Sequence, residues 1–244
     1  MYEFKKSKET IEKILKSPTK VIEKSAIPSS DSEFTYENGI KAWVGALFVD
    51  IVDSSKLFES ANEDTARIIR SFCSEIISIL KDDTNYQEIG IRGDCVYCIY
   101  SAPYQTDLVK IFRHAYRINS FIIMLNKLLI KNGYSTIRAG IGLGVSKDLI
   151  IKAGQSGSGI NDKIWIGKAV VDAAHLSSVA NRNGILPIAM SVDFYNNIFD
   201  ILYEEDANYK GWINSHSSGY YGTTDYYHCD ISEIGFNEWI EGNV

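Results

Sequence analysis

The chain has 244 residues, a formal net charge of −6 and 45% hydrophobic residues. This length suits one large domain or two small ones, and the acidic balance argues against a general nucleic-acid-binding protein, which usually has a basic face. The Lys-rich start lacks the apolar core of a signal peptide, and the longest apolar run, residues 121–125, is too short to span a bilayer. We therefore expect a cytoplasmic protein with no membrane partner and no nucleic-acid partner.

The first 33 residues are expected to lie outside the main domain. Residues 4–24 have the pattern of a short amphipathic helix interrupted by Pro18. Residues 25–40 are rich in Ser, Pro, Asp and Gly, which is typical of an irregular lead-in. The sequence predicts an N-terminal helix and linker over 1–33 and a main domain over 34–244.

The main domain begins with a strand that ends in a carboxylate. Residues 43–51 predict a buried strand with Asp50 near its end, and Asp53, Ser54 and Ser55 are good N-caps for a helix after it. A carboxylate beside a helix N-terminus suits a metal-bound phosphate. An ordinary buried strand followed by a capped helix explains the same stretch.

The later elements follow a split β-α-β plan. In chain order, the pattern predicts a helix over 63–81, a hairpin over 86–91 and 95–100, a helix over 107–132, a strand over 137–145 with a hairpin continuation over 147–152, a short apolar segment over 163–167, helices over 168–181 and 192–200, and a last strand over 225–231. The order predicts an α+β fold, a ferredoxin-like split βαβ sheet with helices on one face and extra C-terminal strands.

Asp50 and Asp94 form the most informative pair in this plan. The first strand and the first hairpin are neighbours in such a sheet, so Asp50 and Asp94, at the hairpin tip, should approach each other. Two carboxylates without His or Cys favour a hard cation such as Mg²⁺ or Mn²⁺, and two such ions roughly 3.5–4 Å apart are the usual apparatus for in-line phosphoryl transfer. A plain hairpin turn would explain the Arg-Gly-Asp triplet taken alone.

Cys95 and Cys98 form a CxxC pair, which in other settings holds zinc or a redox disulfide. Residues three apart in a strand point to opposite faces, and no second CxxC or His pair follows at ligand spacing. We expect buried thiols in a reducing compartment.

Four motifs resemble those of class III nucleotidyl cyclase catalytic domains in order and spacing. They lie within residues 40–232 and are FVDIVDSS at 48–55, RGDCVY at 92–97, IRAGIGLG at 137–144 and WIGKAVVDAA at 165–174. The resemblance implies that a nucleoside triphosphate is converted to a 3′,5′-cyclic nucleotide by a homodimer with active sites at its interface. It implies two Mn²⁺ or Mg²⁺ ions per site on Asp50 and Asp94, with the Ile51 carbonyl as a further ligand.

The base-reading positions depart from the purine cyclases of this family. Their polar residue four before the second metal Asp is Gly90 here, and their polar residue three before the Gly of the last motif is Ile164. Arg92 should share the face of Asp94 by strand alternation, and its donors suit the O2 and O4 acceptors of uracil. A surface salt bridge is the plainer role for Arg92. Phe48 could stack on ribose or base, although core packing explains it equally.

The combination is similar to the pyrimidine cyclases of bacterial anti-phage (Pycsar) systems. The segments at 34–39 and 165–169 resemble that subgroup specifically. The resemblance implies a cyclic pyrimidine nucleotide that is passed to a separate effector. UTP is the favoured substrate because uracil presents two carbonyl acceptors, with CTP or a purine triphosphate as alternatives.

The last helix lacks two groups that the family uses to stabilise the transition state. Its usual Asn and Arg correspond here to Val171, which cannot donate a hydrogen bond, and His175, which can. Arg182 shares the helical stripe of His175 but lies about 10 Å further along the axis. Lys210 resembles a late Lys that contacts the outer phosphates. His175 is thus the candidate catalytic residue, and a catalytically inactive nucleotide-binding regulatory module is the alternative of another class.

Overall fold

The apolar alternation along the first predicted strand produces the central strand of the molecule. The structure, a computed structural model, describes residues 2–155, 159–217 and 225–244. Its strands are β1 (Lys20–Glu23), β2 (Asn38–Ile51), β3 (Tyr86–Arg92), β4 (Cys95–Ser101), β5 (Ala139–Gly154), β6 (Asn161–Ile166), β7 (Ile188–Ser191), β8 (Ile213–His216) and β9 (Tyr226–Cys229). Its helices are α1 (Phe4–Lys16), α2 (Ser54–Phe58), α3 (Glu63–Leu80), α4 (Gln105–Lys131), α5 (Lys168–Val179), α6 (Val192–Glu205), α7 (Tyr209–Trp212) and α8 (Ile234–Asn243).

The strands that the structure describes form one mixed sheet in the order β3-β4-β2-β5-β7-β9-β8. β2 pairs antiparallel with both β4 and β5, whereas β7 runs parallel to β5. β1 pairs with the start of β2, and β6 pairs with the far half of β5. The first four strands of the main domain therefore have the predicted split βαβ arrangement, and β7, β9 and β8 are the extra strands. The predicted α+β fold is confirmed.

One face of the sheet carries the larger core. The side chains of Leu47, Val49 and Ile51 point to this face and are almost fully buried. They pack with Phe72 of α3 and Phe112 of α4, and α6 extends the same core. The period-2 burial of β2 therefore assigns its even-numbered residues, including Asp50, to the opposite face.

Helix α5 covers that opposite face, so the expectation of helices on one face holds for α3, α4 and α6 but is wrong for α5. The reason lies in the glycines of β5. A Cβ atom at Gly140, Gly142 or Gly144 would lie only 2.0–2.3 Å from a backbone carbonyl oxygen of α5. The alternating glycines thus let the helix backbone lie directly on the strand.

Two boundaries also differ from the prediction. Residues 139–154 form one continuous strand rather than a strand and a hairpin, because both halves pair with long neighbours, β2 and β6. At the N-terminal end, β1 belongs to the sheet, although it lies within residues 4–24, which the pattern predicts as a helix interrupted by Pro18. Ile27, in the predicted lead-in, is buried. Helix α1 has no buried residue. Among the described residues, no helix combines the length and apolar character needed to cross a membrane.

Candidate active site

The end of β2 brings Asp50 next to the tip of the β3–β4 hairpin. Asp50 pairs with Cys95 of β4 on one side and with Gly140 of β5 on the other. Gly93 and Asp94 form the two-residue turn of the hairpin, where Gly93 has a φ of 63°. A glycine adopts this left-handed conformation without steric cost, so the tight turn can hold Asp94 close to Asp50.

Asp94 acts electrostatically on Asp50. Burial raises the pKa of Asp50, and the charge of Asp94 raises this pKa further. The guanidinium of Arg182 opposes both effects. Beside them, burial and then the charges of Asp50 and Asp94 raise the pKa of the Cys95 thiol to about 12. Two like charges held together in this way are costly unless a cation neutralises them.

Arg182 supplies such a cation, which the sequence reasoning missed. Its Nη2 donates to Asp50 Oδ2 at 2.9 Å and to the Ile51 carbonyl oxygen at 3.2 Å. The sequence predicted that Arg182 continues the helical stripe of His175, and this was wrong because α5 already ends at Val179. Asn181 then adopts a left-handed φ of 56°, and the chain turns Arg182 back toward β2.

The donor atoms at this position fit a hard divalent cation. Asp50 and Asp94 offer carboxylate oxygens, and the Ile51 carbonyl already accepts a hydrogen bond from a cationic group. No cluster of three or more His, Cys, Asp or Glu side chains suited to a metal occurs in the described part of the chain. Two carboxylates and a carbonyl leave a Mg²⁺ or Mn²⁺ ion with open positions, which suits an ion that also binds substrate phosphates.

A second group of cations borders the end of β2. Arg138 Nη2 lies 3.7 Å from Asp53 Oδ2, and Lys56 Nζ lies 3.6 Å from the same oxygen. These residues line a cavity of about 590 Å³ that reaches Ile51. The sequence reasoning also missed Arg138, although its place directly before β5, beside the end of β2, was a usable signal.

The base-reading position Gly90 is covered by an aromatic ring. A Cβ atom at Gly90 would lie 2.4 Å from the ring of Tyr97. That ring is held in place, since it stacks on Phe48 with centroids 5.1 Å apart and its hydroxyl donates to Glu88 Oε1 at 2.6 Å. Trp165 Nε1 donates to the other carboxylate oxygen of Glu88 at 2.9 Å. The space that a longer residue at 90 would need is therefore filled.

The two remaining base-side positions lie at the edges of this aromatic cluster. Arg92 is exposed and pairs with Cys95, so it shares the face of Asp50. Burial and the hydrogen bond to Glu88 raise the pKa of Tyr97, and a hydrogen bond with Arg92 opposes that rise. Ile164 is 45% exposed on β6. Phe48 and Arg92 thus flank Tyr97 on the face where Asp50 lies.

His175, Val171 and Lys210 are not brought to Asp50 within the chain. Val171 is 64% exposed on α5, and His175 is exposed on the same helix. His175 lines a separate cavity of about 250 Å³ with Asp172, Ser191 and other residues. Lys210 is exposed on α7, which packs near β8 at the far edge of the sheet. Their catalytic roles stay predictions.

Comparison with known proteins decides the family. The chain is 42% identical over 241 residues to a uridylate cyclase of Treponema porcinum, covering 98% of this chain and 81% of that protein. The chain is a class III nucleotidyl cyclase of the uridylate cyclase family. A uridylate cyclase of Gulbenkiania mobilis is 26% identical over 253 residues, covering 99% of the cyclase described here and 97% of its relative.

Solved cyclase structures share the fold at lower identity. The adenylyl cyclase CyaB from P. aeruginosa superimposes with a TM-score of 0.63 at 17% identity, covering 80% of this cyclase and 97% of CyaB. The guanylyl cyclase Cya2 gives a TM-score of 0.61 at 14% identity, covering 82% and 97%. No protein-family model matches the chain.

Proposed function

We propose that this cyclase converts UTP to 3′,5′-cyclic UMP and pyrophosphate. The observation that carries the substrate choice is the ring of Tyr97 over Gly90, at the position where purine cyclases of the class place a base-reading side chain. A pyrimidine needs less depth than a purine, and the curated relatives are uridylate cyclases. Arg92, exposed beside this cluster, offers donors to the two carbonyl oxygens of uracil.

The chemistry is an in-line displacement. The ribose 3′-hydroxyl releases its proton to solvent, its oxygen forms a bond to the α-phosphorus, the bond from that phosphorus to the bridging oxygen breaks, and pyrophosphate leaves. Two Mg²⁺ or Mn²⁺ ions held by Asp50, Asp94 and the Ile51 carbonyl would lower the pKa of the 3′-hydroxyl and neutralise the triphosphate. Phe48 would support the ribose or the base, because it lies two residues before Asp50 on the same strand face.

His175 of α5 and Lys210 of α7 would act from a second copy of the chain. His175 and Lys210 lie away from Asp50 in one chain, and both side chains are exposed. In a homodimer with sites at the interface, His175 would donate to the developing charge at the α-phosphorus, and Lys210 would contact the outer phosphates. The product would act as a second messenger in anti-phage defence, read by a separate cyclic-nucleotide effector.

Chromatography of products from ATP, GTP, CTP and UTP with Mn²⁺ tests the proposal. We expect cyclic UMP and pyrophosphate from UTP, with Asp50→Ala and Asp94→Ala each leaving below about 1% of the rate. Asp200→Ala, which removes an exposed carboxylate of α6, is the matched control and should keep full activity. A preference for CTP or a purine triphosphate would overturn the UTP assignment, and turnover in both Asp variants would overturn the metal site.

A nucleotide-binding module without turnover is the second candidate. The observation that favours it is the exposed Val171, which offers no donor where cyclases of the class have Asn. This alternative predicts metal-dependent binding of UTP with no product under Mn²⁺ or Mg²⁺.

A further inference from the structure

The guanidinium of Arg182 lies on the same oxygen atoms that the proposed metal site offers. A single nitrogen, Nη2, is 2.9 Å from Asp50 Oδ2 and 3.2 Å from the Ile51 carbonyl oxygen. A cationic group of this chain thus takes the place that a divalent ion would take between the same two atoms. That an ion competes with Arg182 rests on the proposed function, in which Asp50 binds the metal.

The other terminal nitrogen of Arg182 is anchored to the end of α5. Nη1 donates to the carbonyl oxygens of Ser177 and Ala180, each at 3.1 Å. The Ser177 carbonyl is available because the Asn181 amide bonds to Leu186 instead of continuing the helix. The C-terminal end of a helix is its negative end, so these contacts favour a cation. The guanidinium therefore ties the end of α5 to the end of β2.

The loop that carries Arg182 is built to hold this position. Asn181, Asn183 and Gly184 have φ values of 56°, 51° and 83°, a run of left-handed residues that reverses the chain. The Asn181 side chain donates to the Ala139 carbonyl at 3.1 Å, and Arg138 donates to the Asn181 carbonyl at 3.0 Å. Non-glycine residues in this conformation persist only when their surroundings fix them.

We infer that Arg182 is the internal counter-cation of the Asp50 site, and that a divalent ion must displace its Nη2 from Asp50 and Ile51 in order to bind. Without metal, Arg182 neutralises Asp50 and lowers the affinity for a free ion. Once displaced, the guanidinium needs an anionic partner, and the incoming triphosphate is one. Arg182 is thus a positioning residue that couples metal binding to nucleotide binding.

Mn²⁺ binding without nucleotide, measured by electron paramagnetic resonance of the free ion, tests this inference. Arg182→Gln should bind Mn²⁺ about tenfold more tightly than wild type, or more, because a competing charge is removed at contact distance. Arg113→Gln is the matched control, since it removes the same charge from an exposed arginine that pairs with Glu205 rather than with Asp50 or the Arg182 loop. Its Mn²⁺ affinity should change by less than about threefold.

Thermal unfolding gives a second readout that does not depend on activity. In EDTA, Arg182→Gln should have a lower Tm than wild type, because Asp50 and the end of α5 lose their shared partner. Saturating Mn²⁺ should raise the Tm of this variant more than that of wild type. Arg182→Lys keeps the charge and should stay within about threefold of the wild-type affinity, so it tests the charge argument even where the Gln variant fails to fold.

Unchanged or weaker Mn²⁺ binding by folded Arg182→Gln would overturn the inference, since Arg182 would then coexist with the ion. Tenfold tighter binding by Arg182→Lys would overturn it too, since charge would not be the competing property. Absence of Mn²⁺ binding in every protein, with and without UTP, would instead overturn the metal site itself and the inference with it.

Discussion

The two ends of the candidate active site differ in how completely one chain builds them. At the end of β2, Asp50, Asp94 and Arg182 meet within one chain, both carboxylates are half-buried, and Arg182 offsets one of their two charges. On α5, Val171 and His175 are exposed. A site whose charged groups are assembled in one chain can hold its ligands alone, whereas an exposed donor needs another surface to bring it to the substrate.

The largest effect expected from this difference is that two slow variants restore activity to each other in a mixed dimer. Asp50→Ala and His175→Ala chains should each be slow alone. Mixed dimers, purified through a different tag on each chain, should restore roughly half of wild-type activity, because each would hold one intact site. The measurement is the UTP turnover of these mixed dimers. Turnover of the mixed complex that merely averages the two variants would place both groups in one chain.

A smaller effect is expected on the base side, at Gly90. Gly90→Lys should not give activity on ATP, because the new side chain meets the fixed ring of Tyr97. Overpacking of this kind typically costs about 1–3 kcal/mol of stability, which a denaturant melt would detect. Gly235→Lys is the matched control, since a Cβ atom there has no neighbour within 4 Å, and this variant should not lower the stability. A stable Gly90→Lys variant that cyclises ATP would contradict the role of Tyr97.

The smallest effect concerns the pH dependence of the free energy of unfolding. His114 is buried and its Nδ1 lies 3.0 Å from the Tyr100 hydroxyl, and burial lowers its pKa. The unfolded chain therefore binds this proton more readily, so stability is full above about pH 6.5 and falls as the pH drops through that value. Burial also lowers the pKa of His228, which adds to the same loss.

Denaturant melts between pH 5 and 8 should show this loss, and His114→Gln should reduce its slope. An unchanged slope in His114→Gln would mean that His114 does not contribute to the pH dependence.

Much of the fold was predictable from local patterns. The order of strands and helices indicated the split βαβ sheet, and the placement of Asp50 at a strand end and Asp94 at a hairpin tip required only the neighbouring order of two elements. The position of α5 on the other face of the sheet could not be predicted in the same way. The alternating glycines of β5 were visible, but their role in admitting the backbone of α5 depends on which element reaches that face.

Residue identity and short spacing were enough to establish the family resemblance, the α+β class, the two carboxylates and the lack of a base-reading side chain at Gly90. Two contacts could be found only in the folded chain: Tyr97 fills the space over Gly90, and Arg182 returns to Asp50, 132 residues away in the chain. The second contact depends on where α5 ends and on one left-handed turn. Helix ends are set by tertiary hydrogen bonds, which a helical pattern does not encode.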